Sequence, residues 1–394
     1  MDVNELKREF VKIFGDGREM VVVQAPGRVN LLGGHTDYND GFVFPAAIEQ
    51  RVIMLSSRRS DSIIRLYSLN FKNMCGFDLS RLEYDNVITW SNYERGVIKI
   101  LSEKGYETGG ADVLIWSNVP IGAGLSSSAA IEIASVLTFV KLFNLEITEL
   151  EIIKIAQRAE VEFVGMRCGI MDQFVSLLAR KDHGLFLDCR TLEYENVPIN
   201  VSSGTAGVNG VSIVICNTNK KRELTESEYN LRRAQCTEAV NILKGFFPGI
   251  RSLRDVTEEQ FTGVKDNLPL VLRKRAEHVI CENKRVLKGM EFLKKGEIEE
   301  FGKLMIDSYS SLKELYEISC FELDTMMQIA IDHDGIIGAR ITGAGFGGCT
   351  VNLVRSGAVG DFKEKIMRIY SEKTGINPEV YITSPSDGGL ILSG

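Results

Sequence analysis

The chain has 394 residues, with 46 Lys and Arg against 53 Asp and Glu, for a formal net charge of −7. Hydrophobic residues make up 44% and charged residues 25%, which excludes a disordered, collagen-like or coiled-coil chain, and the acidic balance argues against a nucleic-acid-binding face. At roughly 150 residues per domain the length suggests two or three domains, and 37 glycines exceed the average usage of about 7%.

The N-terminal stretch places Leu6, Phe10, Ile13 and Phe14 on one helical face between charges. It predicts an amphipathic surface helix and lacks the apolar block of an export signal. No segment reaches the ~18 consecutive apolar residues of a membrane helix. Eight scattered cysteines without a CxxC pair predict reduced thiols in a cytoplasmic protein, not a disulfide framework or zinc site. Short β-branched runs at 21–23, 52–55 and 113–115 predict strands of one sheet. Long helices are expected at 126–145 and 147–166. The Ser/Gly-rich segment 202–210 reads as a joint between two domains, 1–205 and 206–394, with a fresh strand at 211–216. Helices follow at 227–246, 271–295 and 322–333, then strands at 350–354 and 380–383 flanking a helix at 360–373. This irregular mixture favours an α+β fold over a doubly wound sheet.

The sharpest local feature is Pro120-Ile121-Gly122-Ala123-Gly124-Leu125-Ser126-Ser127-Ser128-Ala129-Ala130, between a strand-like run and a long apolar helix. Glycines let backbone approach an anion, serines add hydroxyl donors, and the helix start aims free N–H groups at the same place. The plainer alternative is a tight turn whose serines only cap the helix. No GK[ST] follows, so the segment is not a Walker A loop. A second cluster, Gly343-Ala344-Gly345-Phe346-Gly347-Gly348, formally satisfies GxGxxG, but a strand-like run follows where a dinucleotide fingerprint needs a helix. It reads either as a plain glycine hairpin or as a loop that closes against a ligand.

Pro26 to Tyr38 is dense in hydrogen-bonding side chains between glycines, and Arg28, His35 and Asp37 suit a polyhydroxylated ligand. A turn held by its own Asp and Asn side chains is the other reading. Asp172 heads an apolar run, as a helix cap or dipole partner often does. Glu160 shares a predicted helical face with Ile152, Ala156 and Phe163, so its carboxylate needs a metal, an Arg or a hydrogen-bond network.

Together these segments resemble the GHMP small-molecule kinases and, within them, the galactokinase family, over nearly the whole chain. Gly27-Arg28-Val29-Asn30-Leu31-Leu32-Gly33 with His35-Thr36-Asp37-Tyr38-Asn39 is similar to the galactokinase signature. Pro120 to Ala130 is similar to the family's phosphate loop, and Thr342 to Cys349 to its C-terminal glycine motif. Further matches are Trp90 to Val97, Cys168 to Phe174, Asp188-Cys189-Arg190 and Ser227-Glu228-Tyr229-Asn230. The resemblance implies a two-domain α+β fold with the site in the inter-domain cleft. It implies transfer of the ATP γ-phosphoryl group to the anomeric hydroxyl of an aldose, D-galactose. Asp172 would take the proton or merely orient the hydroxyl, and Arg28 would hold Asp172 charged. Ser128, with Ser127 beside it, and Glu160 would hold Mg²⁺, while Gly122, Gly124, Leu125, Ser126 and Ser127 wrap the triphosphate. Position 34, His35, Asp37, Gly169 and Tyr229 would place the sugar, and Trp90 is a candidate neighbour of the adenine. The expected partners are ATP and a small sugar, with no nucleic acid and no membrane, in a monomer.

One position departs. The family signature has Glu between Gly33 and His35, where it binds the sugar 6-hydroxyl; this chain has Gly34. Lys220 and Arg222 also stand where the family usually has an apolar residue and His. A galactokinase, a kinase for a sugar altered at C6 such as galacturonate, and a sugar-responsive regulator are the readings left open. A C6 carboxylate would be repelled by Glu but not by Gly.

Overall fold

Strand β1 (Val21–Leu32) and the seventeen-residue β2 (Phe42–Arg58) form the long antiparallel ribbon on which the N-terminal half is built. The structure is a computed structural model that describes residues 1–16, 18–166, 168–199, 210–220 and 225–393. Strands β3 (Ile63–Ser68), β4 (Asn73–Asp78) and β5 (Ala111–Ser117) extend the sheet in the order β1–β2–β5–β3–β4, β3 lying parallel to β5. Strands β6 (His183–Asp188) and β7 (Tyr194–Pro198) continue from the start of β2.

The β-branched runs that predict strands are continuous because both faces of this sheet are buried. Val21, Val23, Val52, Met54, Val113 and Ile115 enter one core, while Val22, Ile53, Leu55 and Leu114 alternate into another. The second face is covered by α1 (Val3–Phe14), which starts with a reciprocal Asp2/Glu5 capping box and buries Leu6, Phe10 and Phe14. Each of those side chains contributes about 1.5–3 kcal/mol of burial free energy. The first face carries α2 (Asn92–Glu103), α3 (Ser127–Phe143), α4 (Glu149–Arg158) and α5 (Met171–Leu178). The helix expected at 147–166 divides: after α4 the backbone widens into a π-helical turn, Ala159–Val164.

The second half holds a separate antiparallel sheet. Its strands are β8 (Val211–Asn217), β9 (Ile336–Thr342), β10 (Cys349–Arg355) and β11 (Glu379–Thr383), in the order β11–β8–β10–β9. Helices α6 (Thr225–Leu243), α7 (Glu258–Val264), α8 (Leu270–Lys294), α9 (Ile298–Ser311), α10 (Phe321–Ile331) and α11 (Val359–Thr374) complete it. Val214 and Cys216 face one core, while Ile213 and Ile215 face the core shared with Val29, Leu31 and Phe44 of the first half. The C-terminal strand β12 (Leu390–Ser393) returns to pair with β1, so the chain's end belongs to the N-terminal sheet. The segment 202–210, expected as the joint, lies outside the described residues except for Gly210. Among the described residues no helix is long and apolar enough to cross a membrane, and all eight cysteines are free.

Candidate active site

A cleft of about 960 Å³ opens between the halves, and every residue singled out from the sequence as a site residue lines it except Trp90, which lies in an adjoining recess. Arg28, Gly34, His35 and Asp37 come from the end of β1 and the turn after it. Gly122 to Ser128 come from the β5–α3 loop, Glu160 to Asp172 from the segment around α5, and Tyr229, Gly343 and Ala344 from the second half.

The β5–α3 loop is held in a left-handed course at Gly122 (φ 72°), Gly124 (φ 84°) and Ser126 (φ 57°). Only glycine adopts that region without strain, and Ser126 persists there because its neighbours fix it. The Arg28 N–H donates to the Leu125 carbonyl at 3.0 Å, pinning the loop to β1. Ser126 makes no side-chain cap to α3; its hydroxyl donates to Asp172 Oδ2. The serines therefore do more than cap, and the seventeen-residue α3 begins at the cleft, where Ser127 and Ser128 line it. Free N–H groups of a first helical turn suit an anion.

Asp172 sits in the first turn of α5 yet caps nothing there, because Ile170 occupies the N-cap position. Arg28 grips it with both prongs, Nε to Oδ1 at 2.8 Å and Nη2 to Oδ2 at 2.7 Å. The third guanidinium nitrogen, Nη1, donates to the Gly124 carbonyl at 2.7 Å. One arginine thus locks an acid against the glycine loop.

On the other side of the cleft, Gly169 faces Asp37 so closely that any Cβ would overlap Oδ2. Burial and then the neighbouring Asp172 push the Asp37 carboxyl up to about 6. His35, with φ 61°, bonds through Nδ1 to the Tyr38 hydroxyl at 2.8 Å, and that hydroxyl meets the Tyr316 hydroxyl at 2.8 Å. Among the described residues its buried Nε2 makes no well-formed hydrogen bond, although the Ala344 backbone stands beside it, and burial pulls the ring down to about 3, so it is a neutral imidazole facing the cleft. The Tyr229 ring packs against His35 and Tyr38 at 5.6 and 5.2 Å between centroids.

Of the three partners open to Glu160, the structure shows a hydrogen-bond network. Gln173 Nε2 donates at 2.7 Å, the Cys168 thiol donates at 3.3 Å, and Ser128 bonds it as well. Burial raises the carboxyl above its ordinary range, and Asp172 adds to the shift. Glu132 on α3 shares Gln173, at 3.1 Å, and is itself pushed well up by burial and then by Glu160. No group of three or more His, Cys, Asp or Glu side chains that could hold a metal ion exists among the described residues.

Beside the serines a smaller recess of about 120 Å³ is walled by Val52, Ile115, Ile131 and the stacked rings of Phe71 and Trp90, 6.1 Å apart. It shares Tyr93, Ile121, Ser127 and Ser128 with the main cleft.

Sequence reasoning gave no role to Glu132, Gln173 or Tyr316, although Gln173 lies within the Cys168–Phe174 match; Ala344 lies in the glycine cluster already read as a loop that could close against a ligand. Glu132 was within reach of the argument used for Glu160, since it follows Ser128 by one helical turn on a face shared with Ala129 and Ile133. Of the departures near Tyr229, Lys220 pairs with Glu322 at 2.8 Å, and Arg222 lies outside the described residues.

Three family models match: the galactokinase galactose-binding signature at residues 8–58, the GHMP kinases N terminal domain at 92–180 and the GHMP kinases C terminal domain at 290–371. The galactokinase of Roseiflexus sp. (strain RS-1) is 43% identical over 388 residues, covering 98% of this chain and 97% of its own. That of Bacillus subtilis (strain 168) is 41% identical over 397 residues, covering 99% of each. The crystal structure of Lactococcus lactis galactokinase complexed with galactose superposes with a TM-score of 0.94 at 38% identity, covering 99% of this chain and 100% of that one. Methanococcus jannaschii mevalonate kinase shares the fold, with a TM-score of 0.63 at 20% identity over 94% of this chain and 99% of its own.

Proposed function

The chain belongs to the GHMP kinase family and, within it, to the galactokinases, and from that premise we propose that it transfers the γ-phosphoryl group of ATP to the anomeric hydroxyl of D-galactose. The observation that carries this reading is the Arg28 fork, which holds Asp172 against the carbonyl of Gly124. It joins the acid that meets the sugar hydroxyl to the loop that meets the phosphates. Phosphoryl transfer asks a protein mainly for alignment and charge neutralisation, and little covalent chemistry.

Asp172 accepts the hydrogen bond of the attacking hydroxyl and fixes its direction, and the proton leaves through that bond as the new P–O bond forms. Arg28 sets both carboxylate oxygens and places positive charge beside the transferring group. The glycine loop and the start of α3 supply N–H donors to the triphosphate, with Gly122, Gly124, Leu125, Ser126 and Ser127 around it. His35 Nε2, Asp37 and Tyr229 hold the sugar hydroxyls, and the recess at Trp90 and Phe71 takes the adenine. Separate sheets support a division of the chain into lobes 1–205 and 206–394, with β12 crossing back to the first. Eight free cysteines support a reducing, cytoplasmic setting.

Mg²⁺ fits the residues present. Ser128 and Glu160 offer hard oxygen donors on one wall of the cleft, and the raised carboxyl of Glu160 lacks a nearby cation. Mg²⁺ usually takes one or two protein oxygens plus substrate phosphates, and it supplies charge neutralisation on the phosphoryl oxygens when bound.

The test is an ADP-release assay with D-galactose, ATP and Mg²⁺ on the full chain and on Asp172→Ala. The expected result is turnover by the native chain and a loss of about 10²–10⁴-fold in the variant, the usual contribution of a positioned acid or base. Absence of ADP release on any aldose would overturn the reading.

A further inference from the structure

Behind the turn that carries Gly34 lies a buried group of charges with one guanidinium too many. Glu282 on α8 is fully buried and spends both oxygens. Oε1 accepts from the N–H groups of Gly33 (2.9 Å) and Gly34 (3.1 Å) and from the Ser308 hydroxyl (2.7 Å), while Oε2 accepts from Arg285 Nε (2.6 Å). Arg340 on β9 is 1% exposed, and its nearest carboxylate oxygen is Glu282 Oε1 at 3.7 Å, too far for a hydrogen bond. Among the described residues its Nε and Nη1 have no hydrogen-bond partner. Its other charged neighbours, Arg285 and Arg28, are also positive, and His278, pulled by burial to about 4, is neutral. One carboxylate therefore faces two guanidinium groups.

A buried, unpaired charge is costly, and in a working site such a charge waits for its partner. Arg340 does not itself line the cleft but stands directly behind one of its wall residues: its Nη2 lies within overlap distance of where a Cβ on Gly34 would be. Gly34 lines the cleft and interposes no side chain.

We infer that Arg340, acting across Gly34, recognises a carboxylate on the sugar, so that the chain also phosphorylates a uronic acid such as D-galacturonate. This rests on the kinase reading above and extends its substrate class. Galacturonate differs from galactose only at the exocyclic carbon, the one place where a charge enters without disturbing the ring hydroxyls held by His35 and Asp37. The chemistry is unchanged. The anomeric oxygen bonds to the γ-phosphorus as the bond to the bridging oxygen breaks, ADP leaves, and the hydroxyl proton departs through Asp172.

The test compares kcat/KM of the full chain for D-galactose, D-galacturonate and galacturonate methyl ester, which keeps the acid's carbonyl, adds one methyl group and lacks its charge. The acid should exceed the ester by about 10- to 100-fold, the size of a charge-assisted hydrogen bond. Arg340→Gln should erase that ratio, Arg340→Lys should keep part of it, and Gly34→Glu should reverse the preference towards galactose. The native acid-to-ester ratio stands whether or not the variants fold. Equal rates for acid and ester would overturn the inference, as would turnover of galactose with none of galacturonate; both leave the kinase reading intact. Silence on all three sugars would overturn the kinase reading. Galacturonate binding is then read by thermal shift, where no stabilisation beyond that given by the ester overturns the charge subsite too.

Discussion

Asp188, at the end of β6, is gripped by both terminal nitrogens of Arg254 from the other half of the chain, the Nη2–Oδ2 bond measuring 2.6 Å. The same Nη1 donates to the Asp40 carbonyl at 2.9 Å, just past the turn that bears His35 and Asp37. The pair therefore ties the second half to the sugar side of the cleft. Arg254→Ala leaves the buried Asp188 without its bidentate partner and should cost roughly 3–5 kcal/mol of stability, the usual loss when one partner of a buried ion pair is removed. Urea unfolding measures the loss, and KM for the sugar should rise more than kcat falls. An unchanged unfolding midpoint would show that the pair is solvated and idle.

Arg28→Lys preserves charge but not shape. An ammonium cannot meet both oxygens of Asp172 and the Gly124 carbonyl from one planar fork. The variant should fold normally and lose about 10- to 100-fold in kcat, as expected when reacting groups shift by about 1 Å. Steady-state kinetics alongside a melting curve separates this from general damage; a kcat within a factor of two would mean that charge alone suffices.

Much of the site was legible because its signals are local. The serines after Gly124 exceed what a cap requires, whereas Asp172 alone reads as an ordinary cap or dipole partner and stands out only through the Cys168–Phe174 match. The strands at 21–23, 52–55 and 113–115 were legible because burial on both faces makes their apolar runs continuous. Other features depend on distant contacts. Nothing near Leu390 announces that β12 pairs with β1 at the far end of the chain. No helix-breaking residue marks the π-helical turn Ala159–Val164, which carries the Glu160 bonded by Gln173. The helix α9 went unread although Phe301, Met305 and Tyr309 recur every four residues on its buried face. Arg340 lies in a strand three residues before the second glycine cluster, and only the folded chain shows that its guanidinium reaches Gly34.

Asp37 should write itself into the pH profile. Its carboxyl titrates near 6 through burial and then the proximity of Asp172, while His35, drawn down to about 3, stays neutral over the working range. Below about pH 6 Asp37 gains a proton and loses acceptor capacity for sugar hydroxyls. The value of kcat/KM for the sugar in the free enzyme should therefore fall tenfold per pH unit on the acid side. The KM for ATP should change less. A profile flat down to pH 4.5 would remove Asp37 from sugar recognition.

Glu94 on α2 contributes nothing to the cleft, yet it governs a second pH dependence. Both its oxygens are buried without a hydrogen-bond partner, and burial pushes its carboxyl up to about 8, against an ordinary value of 4.5. The folded chain thus keeps a proton that the unfolded chain releases above about pH 4.5. Since the unfolded state binds fewer protons across that window, stability falls as pH rises from about 4.5 to 8 and levels off above it. Glu94→Gln has nearly the same shape and no proton to lose, so its stability should fall less over the window, keeping only the slope that Asp37 and the other raised carboxyls contribute. Thermal melts of the two chains at pH 5, 7 and 9 should diverge, with the native chain losing ground at each step relative to the Gln variant. Parallel melting curves across the series would show that Glu94 is ionised in the folded chain, with water or a partner in reach.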